Sequence, residues 1–452
     1  MRVRALAALT ATALAATALA ALPPGGTARA AGTPGDQPLP GYTIQNPPLA
    51  PVQVHGAPSR VMQGVHRHAA YDIEVPPHWN GRLAMYAHGY AGQGKVLTVG
   101  PPPFGLRQRL LDQGYAWAAS SYYDNGYDVR AGVTGTRDLA DLFAAKVGRP
   151  RQRIILGASM GGHIIGRSIE QYPGYYAGAL PMCGVLGDDA LFDYFLDYNL
   201  VAQDLSGVRE YPVTAAYQTT TVPKIEQALG LTGLTPGGPD TANARGGQFR
   251  SIMIGRTGGP RPGAEQAFAY WKDFPFTLAT PSTPGATLAE YPGQIATNLF
   301  TRYAPDRPVE VNRTVQRVRA ANPAARLSHR LSQVPLISGR PNVPVLTLHG
   351  LGDMFVPFSM EEVYAAETAR NHRSGLLVQR AIRTAEHCEF SAAEAGAAWD
   401  DLVRWVDTGR RPAGDVTTRP SVVARPDYGC RFSDPAAYAA GTGTRRLFPA
   451  CP

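Results

Sequence analysis

The stretch Ile154-Ile155-Leu156-Gly157-Ala158-Ser159-Met160-Gly161-Gly162 constrains this chain more than any other. A short apolar run of this kind reads as a buried strand and residues 161–171 read as a helix, so Ser159 falls on the turn between them. Only small flanking residues let strand and helix approach so closely, and the sharp Gly-x-Ser-x-Gly turn lifts the hydroxyl above the sheet edge. There the helix N-terminus presents free N–H groups. The position suits a nucleophile; the plainer alternative is a tight turn with an inert serine.

A serine hydroxyl is a weak nucleophile at neutral pH, so it needs a base, and the base needs an orienting acid. An expected strand at 343–348 runs into His349-Gly350-Leu351-Gly352-Asp353, and another at 376–382 runs into Arg383-Thr384-Ala385-Glu386-His387-Cys388. Asp353 and His387 therefore emerge at the edge where Ser159 emerges, and we read them as acid and base. Asp188 and Asp189, after the strand at 177–182, are rival acids, and Glu386 reads as a solvated neighbour. Among the other histidines, His88 and His349 precede glycine at strand ends and read as loop-shaping groups. His163 lies in the first turn after Ser159, and His66, His68 and His78 fall in an early hairpin. An oxyanion needs two donors: the N–H of Met160 after the nucleophile, and the backbone N–H of Tyr90, with Ala91 as a one-residue margin, in the loop after the third strand.

Further strands are expected at 65–75, 82–87, 115–120 and 153–156, and further helices at 136–146, 357–369 and 392–406. Such alternation argues for an α/β fold with a mainly parallel sheet and helices on both faces. It breaks over residues 190–340, which hold helical stretches at 221–229 and 311–320 and are read as a large, mostly helical cap inserted into a core of 51–189 and 341–412. The cap's aromatic clusters, Phe192, Tyr194, Phe195 and Tyr198, then Phe268, Tyr270, Trp271, Phe274 and Phe276, read first as its own core and second as a pocket lining. Tyr122, Tyr123 and Tyr127, after a core strand, are expected to touch substrate.

With 452 residues and 44% hydrophobic side chains, the chain is neither a miniprotein nor a disordered tail. Residues 1–30 pass from Arg2 and Arg4 through an Ala/Leu run to Ala28-Arg29-Ala30, the pattern of a secretory signal cleaved after Ala30. A Pro/Gly-rich arm, 31–50, is expected to be flexible, and no membrane anchor is expected after cleavage. Without the signal, 40 basic face 35 acidic side chains, a net charge of +5 with no long basic run, so nucleic acid is not an expected partner. Four cysteines in an exported, extracellular chain favour disulfides and allow three pairings. Cys430 and Cys451 both lie in the tail, 413–452, and are expected to close it into a loop, leaving Cys183 with Cys388.

The His88-Gly89 loop, the Gly-x-Ser-x-Gly elbow, Gly350-Leu351-Gly352-Asp353 and the late His387, in that order, resemble the α/β-hydrolase superfamily over residues 60–185 and 340–408. Residues 77–89, the His387-Cys388 pair and Trp405-Val406-Asp407-Thr408-Gly409 with Pro412 are further similar to secreted feruloyl-esterase and tannase-like enzymes. Tannase-type enzymes carry a cysteine beside the nucleophile, bonded to one beside the histidine; here Ala158 precedes Ser159. The resemblance implies that Cys183 fills that role from the neighbouring strand; the alternative joins Cys388 to the tail. The expected function is a secreted serine hydrolase acting on small-molecule or polymeric carboxylic esters, aryl or phenolic ones among them, with no cofactor and no metal. The rivals are a prolyl-oligopeptidase-like serine peptidase, a polyester depolymerase, and a binding protein that kept the fold and lost the chemistry.

Overall fold

Eight strands make one sheet: β1 (Arg60–His66), β2 (Ala69–Val75), β3 (Arg82–Ala87), β4 (Ala116–Ser120), β5 (Gln152–Ala158), β6 (Gly178–Met182), β7 (Val345–Gly350) and β8 (Leu377–Ile382). Their spatial order is β1-β2-β4-β3-β5-β6-β7-β8, with β2 antiparallel to both neighbours and every other pairing parallel. The computed structural model describes residues 35–279 and 295–451, so the expected signal segment, 1–30, lies outside the described residues.

The longer helices are α1 (Leu106–Asp112), α2 (Val129–Lys146), α3 (Met160–Gln171), α4 (Ala190–Ser206), α5 (Val222–Leu229), α6 (Ala244–Arg256), α7 (Ala264–Trp271), α8 (Ser359–Arg370) and α9 (Ala392–Thr408). Parallel strands are covered on both faces, which is why β5 and β6 read as near-continuous apolar runs. Their residues still alternate between faces. Ile154 and Leu156 pack with Leu106 of α1 and Trp399 of α9, whereas Ile155 packs with Phe143 of α2 and Ile164 of α3. Each such fully buried side chain contributes ~1.5–3 kcal/mol of apolar burial. α9 begins where Ser391 and Glu394 close a reciprocal capping box, which fixes the helix start just beyond the β8 loop.

Several expectations change. The strand read at 65–75 is the second half of a β1–β2 hairpin whose turn, Arg67-His68, has φ of 47° and 70° at both central residues. Asn or Gly usually signals such a turn. Here the His68 N–H donates to the Gly35 carbonyl at 2.8 Å, and its Nδ1–H donates to that of Gln37 at 2.8 Å, so contacts from elsewhere hold it. Nor are β2 and β3 hairpin partners, since β4 lies between them. The described part of the arm, from Gly35, is not loose: Thr43–Ile44 pairs with Val96–Leu97, Asn46 donates to Asp72 at 3.0 Å, and the Leu49 N–H reaches Gln63 at 2.9 Å.

Between β6 and β7 lie α4 to α7, joined by irregular loops. The helix expected at 311–320 is only Val311–Thr314: Val315 turns extended, and the chain pairs instead with Asn298, whose side-chain carbonyl accepts the Val318 N–H at 2.7 Å. Most of the aromatic clusters pack together, Tyr198 lying 4.9 Å from Phe249 and 5.1 Å from Phe276 between ring centroids. At the far edge of the sheet, the β8 backbone is covered: the Asp415 N–H donates to the Gln379 carbonyl at 2.7 Å, its carboxylate accepts the Ala381 N–H at 2.9 Å, and Arg411 caps the Leu377 carbonyl.

Candidate active site

Ser159 ends β5 and caps α3 with φ 60°, a left-handed conformation that few non-glycine residues adopt. Glycine is required on both sides of it. A Cβ on Gly157 would sit 2.2 Å from the Ala87 carbonyl oxygen, and one on Gly161 would sit 2.1 Å from the same atom. The Ser159 N–H donates to the Met182 carbonyl at 3.1 Å, so the elbow is anchored in β6 as well.

Asp353 follows β7 and is fully buried. Its Oδ1 accepts the N–H groups of Phe355 at 2.9 Å and Val356 at 3.0 Å, leaving Oδ2 for His387 Nδ1 at 2.6 Å. The carboxylate accepts, so the ring proton lies on Nδ1 and Nε2 is free to accept from the Ser159 hydroxyl, 2.8 Å away. The structure thus brings Ser159, His387 and Asp353 together in one hydrogen-bonded chain, from three segments that meet at the carboxyl edge of β5, β7 and β8. The chain has the α/β-hydrolase fold. Met160, the first residue of α3, has an N–H with no intrahelical acceptor. Gly89 packs against the serine, with Tyr90 next to it and half-buried.

Cysteines pair as Cys183 with Cys388 and Cys430 with Cys451. The first bond ties the end of β6 to the residue after His387, and its Cys388 sulfur lies 3.4 Å from His387 Nε2. Cys183, His387 and Cys388 have the composition of a metal site, but the bonded sulfurs offer no thiolate.

The rivals are accounted for elsewhere. Asp188 accepts the N–H groups of Ile337 at 2.8 Å and Asp189 at 2.6 Å; burial pushes its carboxyl up, and burial with the Asp188 charge pushes Asp189 up to about 7. His163 is buried between the Tyr127 hydroxyl, 3.0 Å, and the Pro335 carbonyl, 2.7 Å, and burial pushes it down to about 4. His349 is raised: burial alone would lower it, but the hydrogen bond and charge of Glu361 outweigh that. His88 stacks on Tyr122 at 4.1 Å and shapes its own loop through Gly89. Tyr122 and Tyr127, expected to touch substrate, are instead 1% and 5% exposed and belong to the core beneath the loop, leaving Tyr123 half-buried.

Several contacts had no clear signal in the sequence. Phe355 meets the His387 imidazole edge to face, 4.9 Å between centroids, and Phe274 and the buried Phe195 pack behind Phe355 at 4.9 and 6.2 Å. Phe355 was legible only as an apolar residue two places after Asp353. From α7, the Trp271 Nε1–H donates to the Ala385 carbonyl at 2.7 Å and the Tyr270 hydroxyl bonds the Glu386 carboxylate, which ties Glu386 to the insertion.

No family model matches the chain. Over 407 residues it is 23% identical to an o-phthalyl amidase of Xanthobacter agilis, a match covering 76% of this chain and 86% of that protein. Among solved structures, an esterase from Aspergillus oryzae matches this chain with a TM-score of 0.46 and 12% identity, over 78% of this chain and 81% of that one. Feruloyl esterase B from Aspergillus oryzae matches with a TM-score of 0.42 and 14% identity, over 76% and 79%.

Proposed function

We propose that this protein is an exported serine hydrolase that cleaves carboxylic esters through an acyl-enzyme. The observation that carries the reading is the unbroken chain of hydrogen bonds from Ser159 Oγ to His387 Nε2, 2.8 Å, and from Nδ1 to Asp353, 2.6 Å. Ser159 attacks the carbonyl, and His387 takes its proton and returns it to the leaving group. Asp353 holds the imidazole in the required tautomer, and water then releases the acyl group with His387 again as base. The N–H groups of Met160 and Tyr90 receive the oxyanion. Half-buried Phe355 beside His387, with half-buried Phe274 against it, favours an aryl or phenolic group next to the base. Export is supported by the signal-like leader and by two disulfides.

Amide hydrolysis is the second reading, favoured by the amidase among the relatives. Turnover of p-nitrophenyl butyrate, a phenolic ester, a peptidyl anilide and a phthalyl amide by the parent and by Ser159→Ala separates the two. We expect ester turnover that the variant loses by roughly 10⁴-fold or more, with fluorophosphonate labelling Ser159 in the parent alone. Equal turnover by the variant would overturn the reading, and anilide or amide turnover above ester turnover would replace it with the second.

A further inference from the structure

The segment after α9 is short of regular structure, yet it is wound around the loop that carries His387. Arg383 opens that loop and is fully buried; its Nε–H donates to the Tyr428 carbonyl at 3.0 Å, one Nη to that of Pro449 at 2.7 Å, and the other to that of Pro426. The Arg383 N–H itself donates to the Ser433 hydroxyl at 2.9 Å. Nearer the histidine, Thr444 does three things at once. Its Oγ1 accepts the N–H groups of Ala385 at 2.7 Å and Glu386 at 3.1 Å, the two residues before His387, and it donates to Glu389, two residues after. Glu389 in turn accepts the Thr444 N–H at 3.1 Å and pairs with buried Arg445 at 3.0 Å, whose other nitrogen reaches Glu394 in the first turn of α9 at 2.7 Å. Cys430–Cys451 closes the segment on itself.

Backbone N–H groups in a buried loop require acceptors, and those of 385 and 386 find theirs in one side chain from the tail. We propose that residues 426–449 are a positioning strap for the general base and that Thr444 is its positioning residue, acting through the backbone on both sides of His387. The proposal rests on the serine-hydrolase reading for its kinetic consequence, but not for its structural one. A base displaced by a fraction of an ångström loses alignment with Ser159 Oγ while the binding surface is unchanged, so the loss falls on kcat.

The test compares Thr444→Val, which keeps the shape and removes the hydroxyl, with Thr444→Ser, which restores it, and with Ser433→Ala as a milder cut at the other end of the loop. Amide hydrogen exchange of residues 384–387 is read beside kcat, KM and the pH profile on p-nitrophenyl butyrate. We expect faster exchange at Ala385 and Glu386 in the valine variant, a fall in kcat on the order of tenfold to a hundredfold with KM held within about twofold, and a shifted imidazole limb in the pH profile. The serine variant should return to within about threefold of the parent. Unchanged exchange, or faster exchange with unchanged kcat and pH profile, would overturn the strap. If the valine variant does not fold, Ser433→Ala decides by the same criteria. A parent that turns over no ester or amide would sink the hydrolase reading instead, and exchange alone would then decide the strap.

Discussion

His163 stands four residues from Ser159 and shows how little a histidine's place in the sequence says about its chemistry. It accepts from Tyr127 and donates to the Pro335 carbonyl, which commits it to the neutral form, and burial holds it down at about 4. The unfolded chain binds this proton near pH 6.5. Between pH 6.5 and 4 the unfolded state therefore carries more protons than the folded one, and stability is present in full above 6.5 and drains away as pH falls towards 4. The loss approaches about 3 kcal/mol. Denaturant melts from pH 7 to 4 should show this acid sensitivity in the parent and less of it in His163→Gln; equal sensitivity would assign it to other groups. Ser159, Asp353 and His387 were legible because each follows an apolar strand in the order the chemistry needs. Tyr122 and Tyr127 misled because an aromatic after a core strand fits a pocket wall and a packed core equally well.

Among the elements, the loops after β6 and β8 depend most on each other. Cys183 and Cys388 have φ of 45° and 59°, a region that costs a non-glycine residue of order 1–3 kcal/mol and persists only when the surroundings over-determine it. The bond between them spans 205 residues of sequence and supplies that constraint beside the imidazole. A Cys183→Ala/Cys388→Ala double variant should lose ~2–4 kcal/mol in denaturant melts. Its kcat should fall more than that of a matched variant lacking Cys430 and Cys451. If both double variants lose kcat equally, the bond has no particular hold on the base. The alternating strands and helices of the core were legible from their periods of two and about 3.6 residues. The Arg67-His68 turn was not, because Gly35 and Gln37 hold it from a distance, and α6 was obscured by Gly246, Gly247 and Gly255 inside it.

Across the whole molecule, the stretch between β6 and β7 is joined to the sheet edge that carries Asp353 by a buried cation. Arg261, between α6 and α7, is 7% exposed and donates to the Leu351 carbonyl at 2.6 Å, two residues before Asp353, as well as to the Gly259 carbonyl and the Thr257 hydroxyl. Burial pushes the guanidinium down to about 10. Arg261→Met keeps the bulk but strands a buried carbonyl, at a cost of about 1–3 kcal/mol. Thermal melts should drop, and limited proteolysis should open sites within 190–340 before the core. Simultaneous loss of both regions at an unchanged midpoint would mean that Arg261 does not couple them. That helices rather than core strands fill the chain between β6 and β7 was visible from the break in strand–helix alternation. How they grip the core was not, since a lone arginine among many carries no mark of its partner. The cover over β8 has a practical side. Asp415 and Arg411 occupy the outward row of amides and carbonyls that a neighbouring molecule would otherwise dock against, so damage that peels residues 411–417 away would turn this border into a seed for ribbon-like self-assembly.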